Sequence, residues 1–332
     1  MRQFTCADAP VHAYGLLTEA LPDHFYRLPP ALASVLPEKL VSRGQSPAGG
    51  RIRFRTDASE ITIRITLETL TVDWAIALCG SAGAVAAVGT GEAMRYAGLV
   101  SPRQYDETSP TLLLQKEPVM EDVTLFLPRN ERVRSVVFSV ADNARVEAPT
   151  PYRVAKPIVF YGSSITEGGC ASRVTNAYPA LLGKWLDTDT VNLGFSGAAK
   201  GELPLAKFIA GLTMSAFVYD YDHNAPSPAH LAETHEPFFQ VIRQQNPDLP
   251  ILILSKPDFD SHPADATARR AVIRQTWQNA VDAGDAHTFF IDGQTLFGTA
   301  DRAECTVDGC HPNDLGFMRM AKTIYPVLRA IL

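Results

Sequence analysis

Two hydrophobic periods divide the chain. Between residues 51 and 140 polar and apolar residues alternate. Beyond about residue 155, short apolar runs alternate with longer stretches of helical period. Arg51-Ile52-Arg53-Phe54-Arg55 and Glu60-Ile61-Thr62-Ile63-Arg64-Ile65-Thr66-Leu67 have period two and many β-branched residues, which predicts half-buried antiparallel strands. Asp57-Ala58-Ser59 reads as the turn between them. Further strands are expected at 72–78, 123–127 and 133–140. Breaks fall at Gly80-Ser81-Ala82-Gly83, Pro128-Arg129-Asn130-Glu131 and Ala141-Asp142-Asn143. Many short strands with little helix predict a β-sandwich. The alternating Arg51, Arg53, Arg55 and Arg64 are expected to mark its solvated face. Residues 1 to about 45 are rich in proline, and Asp23 to Pro29 reads as a turn-and-extended segment.

Glu147-Ala148-Pro149-Thr150-Pro151-Tyr152 has the composition of a linker, which divides the chain into domains at 1–150 and 151–332. In the second part strands fit 157–161, 189–193, 215–220, 250–255 and 288–291. Helices fit 176–186, 202–211, 228–245, 265–283 and 314–330. Strand–helix alternation predicts βαβ units and a parallel sheet. The last helix places Phe317, Ala321, Ile324, Leu328 and Ile331 on one stripe, with Pro326 expected to kink or limit it.

A chain of 332 residues suits two cores better than one. Its net charge of −6 argues against nucleic acid or an anionic membrane as main partner. Met1 to Pro10 lacks both a basic and an apolar signal region, and no apolar run reaches membrane-spanning length, so a cytoplasmic location is expected. Cys6, Cys79, Cys170, Cys305 and Cys310 are odd in number and sparse, which is not a disulfide framework. They read as packing thiols, although Cys170 and Cys310 flank candidate catalytic residues and are candidates to lie near each other.

The stretch Ile158-Val159-Phe160-Tyr161-Gly162-Ser163-Ser164-Ile165-Thr166 carries the chemistry. An apolar run into Gly-Ser-Ser is a buried strand ending in a turn, and ligands bind at the carboxyl ends of such strands. A serine there needs a base. Asp308-Gly309-Cys310-His311 supplies one near the end of the chain, in an order known for Ser-His-Asp triads. Thr166 stands where a Gly-x-Ser-x-Gly elbow requires glycine, which argues against the α/β-hydrolase fold. Asp220-Tyr221-Asp222-His223 admits a metal reading, but without a further clustered ligand a structural hydrogen-bond or salt-bridge role is preferred.

Together these blocks resemble the SGNH (GDSL-like) esterase and acylhydrolase family. Gly162-Ser163-Ser164-Ile165-Thr166 matches its first block, with Ser163 in place of the usual Asp. Asn192-Leu193-Gly194-Phe195-Ser196-Gly197 matches the second, and Tyr219-Asp220-Tyr221-Asp222-His223-Asn224 the third, without the usual flanking Gly and Asp. Asp308 and His311 match the last. Ser42-Arg43 through Ala48-Gly49, Thr56-Asp57-Ala58 and Thr124-Leu125-Phe126-Leu127-Pro128 resemble a subgroup that carries an N-terminal sandwich.

The resemblance implies an α/β fold of SGNH type: a flavodoxin-like three-layer α/β/α domain with a five-stranded parallel sheet, preceded by a jelly-roll-like β-sandwich. It implies Ser164 as nucleophile, His311 as base, and Asp308 as its orienter. The oxyanion would be held by the backbone N–H groups of Ser164 and Gly197 and by the Asn224 amide. Neither cofactor nor metal is expected. The implied reaction is hydrolysis of short acyl esters, O-acetyl esters above all, of a sugar or other small polar alcohol. Acyl transfer to an alcohol and non-catalytic carbohydrate binding are the alternatives; the intact Ser164, Asp308 and His311 argue against the latter. Gly168-Gly169 and Ser196-Gly197-Ala198-Ala199 would make the site small, with Lys200 and Glu202 adding charge nearby. Oligomeric state is left open.

Overall fold

The computed structural model describes residues 1–17 and 24–332. Asp23, the first residue of the expected turn-and-extended segment, lies outside them; His24 to Pro29 holds no helix or strand. The N-terminal part comprises β1 (Arg2–Phe4), β2 (His12–Tyr14), α1 (Glu38–Gly44), β3 (Arg51–Thr56), β4 (Glu60–Leu67), α2 (Leu78–Ser81), β5 (Ala84–Val88), β6 (Arg95–Val100), β7 (Thr111–Gln115), β8 (Glu121–Phe126), β9 (Val133–Val140) and β10 (Val146–Glu147). One antiparallel sheet runs β1-β9-β4-β7. The other runs β10-β3-β8-β5-β6, with β2 also paired to β3. Alternation turns Ile61, Ile63 and Ile65 of β4 toward Ile52 and Phe54 of β3 and Val123 and Leu125 of β8, in one apolar core.

Two expectations fail here, each for a physical reason. Residues 72–78 form no strand. The Thr71 N–H donates to Glu131 Oε1 and the Ala75 N–H to Asp73 Oδ1, so side-chain acceptors divert the backbone from a ladder, and α2 follows. Arg51 and Arg53 are not solvated: they are 4% and 1% exposed. The outward face of β3 is covered by the second domain and by aromatic rings. Arg51 donates to Thr190 Oγ1 at 2.7 Å and pairs with Asp189. Arg53 lies over the Tyr152 ring, 4.1 Å from its centroid. Arg55 is half-buried, and only Arg64 of the four is exposed.

The second part comprises β11 (Val154–Gly162), α3 (Ser164–Glu167), α4 (Tyr178–Leu186), β12 (Thr188–Gly194), α5 (Leu203–Ala210), β13 (Ala216–Asp220), α6 (Pro228–Gln245), β14 (Ile251–Leu254), α7 (Pro263–Asp282), β15 (Thr288–Ile291) and α8 (Asp314–Ile331). Its sheet is parallel, in the order β12-β11-β13-β14-β15. Val159 and Tyr161 face one core with Leu205, Phe238 and Ile273 of α5, α6 and α7. Ile158 and Phe160 face the other with Leu182 of α4 and Phe317 of α8. This is the expected three-layer sandwich. Leu28, Leu36 and Leu40 join the first of these cores, so the chain before β3 packs on the α/β domain. Helix α8 continues through Pro326 to Ile331. Proline removes one backbone bond, and the buried Ile324 and Leu328 on either side hold the helix to the sheet.

Candidate active site

Strand register sets the site. Gly162 at the end of β11 pairs with Gly194 of β12 on one side and with Asp220 of β13 on the other. Ser164, Gly197 and Asn224 therefore leave the same carboxyl edge from three adjacent strands, with Ser164 in the middle. Ser163 caps α3, its Oγ accepting from the Ile165 N–H at 3.1 Å. A serine thus performs the capping role open to the aspartate it replaces, while Ser164 occupies the first helical position.

His311 comes from a loop held tightly before α8. The Val307 N–H bonds to the His311 carbonyl, and Asn313 caps α8 with its side chain. Ser164 Oγ lies 2.9 Å from His311 Nε2, and His311 Nδ1 lies 2.8 Å from Asp308 Oδ2. Asp308 Oδ1 also accepts from the backbone N–H groups of His311 and Cys310 at 2.7 and 3.0 Å. Burial alone would raise the Asp308 carboxyl, but these donors outweigh it and hold its pKa below the ordinary value. An ionised Asp308 takes the Nδ1 proton as a hydrogen bond, which leaves Nε2 to accept from the serine.

Ser164, Asp308 and His311 line one cavity of about 140 Å³. Its other walls are Gly169, Cys170 and Ser196 from the α/β domain, and Arg43, Asp73, Trp74, Arg129 and Asn130 among those from the N-terminal part. Gly197, Asn224, Lys200 and Glu202 do not line it. Glu202 instead accepts from the Tyr161 hydroxyl and the Lys200 N–H. Gly197 has φ +65°, where a side chain is strained. Among the described residues, the Ser164 and Gly197 backbone N–H groups and the Asn224 amide donate to no protein acceptor, and Asn224 Oδ1 is buried without a partner. Three donors thus stand free along the carboxyl edge that carries Ser164.

Beneath the serine lies a network that the sequence did not announce. Arg27 is fully buried, 5.0 Å from the Phe195 ring centroid. Its guanidinium donates to the carbonyls of Ser46, Asn192, Gly194 and Arg43, and to Glu167 Oε1 at 2.8 Å. Glu167 Oε2 accepts from the Ser196 N–H, and Asn192 Nδ2 donates to the Thr166 carbonyl. Helix α3 with Ser164, the loop carrying Gly197 and the N-terminal segment are thereby tied at one point. On the other side Asp220 accepts from the Thr166 and Tyr178 hydroxyls. Burial, and then repulsion from Asp222, push the Asp220 carboxyl up to about 7. Asp220 thus has the hydrogen-bonding role preferred above.

The metal question moves to another cluster. His223, Asp258 and Cys310 bring potential ligand atoms within 4.8 Å of one another. His223 Nε2 is already 2.6 Å from Asp258, its Nδ1 is 2.9 Å from Asp222, and the Lys256 ammonium is 3.2 Å from Asp258. Burial opposes a charge on His223, but Asp258 and Asp222 overcome it and raise its pKa well above the ordinary value. His223 and Lys256 thus already pair with the carboxylates that would draw a metal ion. Cys170 lines the cavity, and burial raises its thiol to about 11, which keeps it protonated.

Residues 155–329 match the model of the GDSL-like lipase/acylhydrolase family, and residues 4–146 match that of the N-terminus of SGNH hydrolase-type esterases, GxDLY. A solved structure from Bacteroides ovatus, assigned to the GDSL-like lipases, is 25% identical. The match covers 99% of this chain and 97% of that one, with TM-score 0.88. The salicylyl-acyltransferase SsfX3 from a tetracycline biosynthetic pathway is 19% identical over 99% and 97% of the two chains, with TM-score 0.82. A family two carbohydrate esterase from Clostridium thermocellum, in complex with cellohexaose, is 16% identical over 85% and 92%, with TM-score 0.62. The last two likenesses are of fold. None of the curated proteins matches the chain.

Proposed function

The chain belongs to the GDSL-like lipase/acylhydrolase family, and from that premise we propose that it is a serine esterase for short acyl esters, O-acetyl esters first, of a carbohydrate or other small polar alcohol. The observation that carries this is the hydrogen-bonded chain Ser164–His311–Asp308, open to a cavity of about 140 Å³. His311 Nε2 takes the Ser164 hydroxyl proton as Oγ attacks the ester carbonyl. The oxyanion meets the N–H groups of Ser164 and Gly197 and the Asn224 amide. Collapse expels the alcohol, which receives the proton from His311, and leaves acyl-Ser164. Water then attacks with His311 as base, the carboxylic acid departs, and Ser164 is restored. Asp308 stays ionised throughout and steadies the imidazolium.

Size and wall chemistry support the substrate class. Gly169, Cys170 and Ser196 place no long aliphatic side chain beside the serine, and the apolar wall is the short one that Trp74, Ala75 and Ile76 supply from the N-terminal part. Each methylene of a longer acyl chain gains about 0.8 kcal/mol only where such wall exists. Trp74 at the rim is 83% exposed, and an exposed indole suits the apolar face of a sugar. The carbohydrate esterase with cellohexaose shares the fold, as analogy and no more. The acyltransferase fold likeness keeps a second reading, in which an alcohol replaces water as acceptor. The test is a series of 4-nitrophenyl esters from acetate to octanoate, with acetylated sugars, assayed with and without acceptor alcohols. kcat/KM should fall steeply with chain length, and free acid should be the product. Equal rates on octanoate below its micelle concentration would reject the small acyl site; a transferred ester as main product would favour the second reading.

A further inference from the structure

Arg129, on the turn after β8, is 5% exposed. Among the described residues its guanidinium makes no hydrogen bond and no ion pair within 4 Å, and its Nε is buried without a partner. The carboxylates whose charge acts on it are Glu167, already held by Arg27 and the Ser196 N–H, and Asp73. The guanidinium lies at the triad. A Cβ on Gly169 would sit 3.1 Å from Arg129 Nη1, 3.0 Å from the Ser164 carbonyl oxygen and 3.6 Å from His311 Cδ2. The absence of that Cβ is what lets Arg129 approach. Arg43 of α1 lines the same cavity, and its side chain also lacks a protein acceptor among the described residues. One turn earlier, Lys39 Nζ lies 2.9 Å from the Cβ position of Gly197.

A desolvated guanidinium without an acceptor is costly unless a ligand completes it. Its planar fork matches a carboxylate through two parallel hydrogen bonds. We infer that the substrate ester carries a carboxylate, which Arg129 binds beside the scissile carbonyl with Arg43 completing the wall. On the proposed esterase reading, on which this rests, the substrate class becomes acylated acidic sugars. Asp73 sets the selectivity further, since it disfavours a second anion at the rim.

The test compares acetylated methyl glucuronide with acetylated methyl glucoside, and 4-nitrophenyl hemisuccinate with 4-nitrophenyl butyrate. The first pair places the carboxylate on the alcohol, the second on the acyl group. kcat/KM should favour the acidic sugar ester by about tenfold or more at low salt, the range for a charged hydrogen-bonded pair, and the preference should shrink with added salt. Arg129→Gln should bring the ratio close to one, Arg129→Lys should keep part of it, and Arg43→Gln should lower it less. Hydrolysis of both sugar esters at equal rates would overturn the inference and leave the esterase reading standing. A preference confined to the hemisuccinate would overturn the acidic-sugar assignment. If neither sugar ester is cleaved but 4-nitrophenyl butyrate is, the acidic-sugar assignment is overturned and the esterase reading stands; if no ester is cleaved, the esterase reading fails. Calorimetry with methyl glucuronide then decides the subsite: binding lost in Arg129→Gln upholds it, and no binding to the wild type rejects it.

Discussion

Arg27 and Arg129 are both buried beside helix α3, which begins at Ser164, and both are drawn by Glu167. Arg27 meets it at 2.8 Å and places its remaining donors on backbone carbonyls and the Ser46 hydroxyl. Arg129 has no protein acceptor among the described residues and borders the cavity. Identical chemistry is thus used in two ways. A guanidinium whose donors are all matched makes a fixed joint between segments distant in sequence. One whose donors are left unmatched at a cavity wall is an affinity held for a ligand.

The largest effect should come from outside this pair and calibrate it. Ser164→Ala and His311→Ala are each expected to lower kcat by roughly 10⁴-fold or more, with the double variant no worse, because triad members act as a unit. Their urea midpoints should stay near wild type, since neither residue bonds to the Arg27 joint. Additive kinetic losses would dismantle the assigned triad. Arg27→Ala should cost about 3–5 kcal/mol of stability, the range for orphaning one partner of a buried ion pair. Arg129→Gln should shift stability by less than about 1 kcal/mol, as no native hydrogen bond is lost. Equal denaturation curves for these two variants would erase the distinction between joint and wall.

Asn224→Ala tests the free donors on the other flank of the serine. Loss of one oxyanion donor lowers kcat by about 10²–10³-fold with little change in KM. A change confined to KM would move Asn224 into substrate binding. The remaining test concerns Asp220, which burial, and then Asp222, raise from 3.8 to about 7. The folded protein holds this proton to higher pH than the unfolded chain does. Its contribution to stability is therefore complete below the ordinary carboxylate pKa and is lost as pH rises through about 7. Asp220→Asn should flatten that part of the stability–pH curve. An unaltered curve from pH 4 to 8 would show that Asp220 does not titrate there.

How much of this was legible varied with the range of the interactions. In the α/β domain nearly every strand and helix could be placed, because each apolar run or stripe is buried by its own sheet. The pairing of Asp308 with His311 was legible for the same reason: both lie in one short loop. In the sandwich, β3, β4, β8 and β9 show their period, but β5, Ala84 to Val88, is buried on both faces and has no alternation to read. Residues 72–78 have strand composition, yet Glu131 takes the N–H of Thr71 just before them and Asp73 that of Ala75, and Trp74 reaches the cavity rim.

The order of elements, the Ser164 turn and the Asp308–His311 loop could be read from the chain, since each depends on residues a few positions apart. Which charges lie at the surface and which do not was set by packing between distant segments. Arg51 and Arg53 carry the pattern of a solvated face, yet Arg51 is buried by a domain that begins a hundred residues later and Arg53 by Asp122 and the rings of Tyr14 and Tyr152. Arg27 and Arg129 look alike in the sequence, and their difference lies in whether folding brings acceptors to them. Hydrophobic period is a local property of the chain, whereas the partner of a buried charge is set by long-range packing.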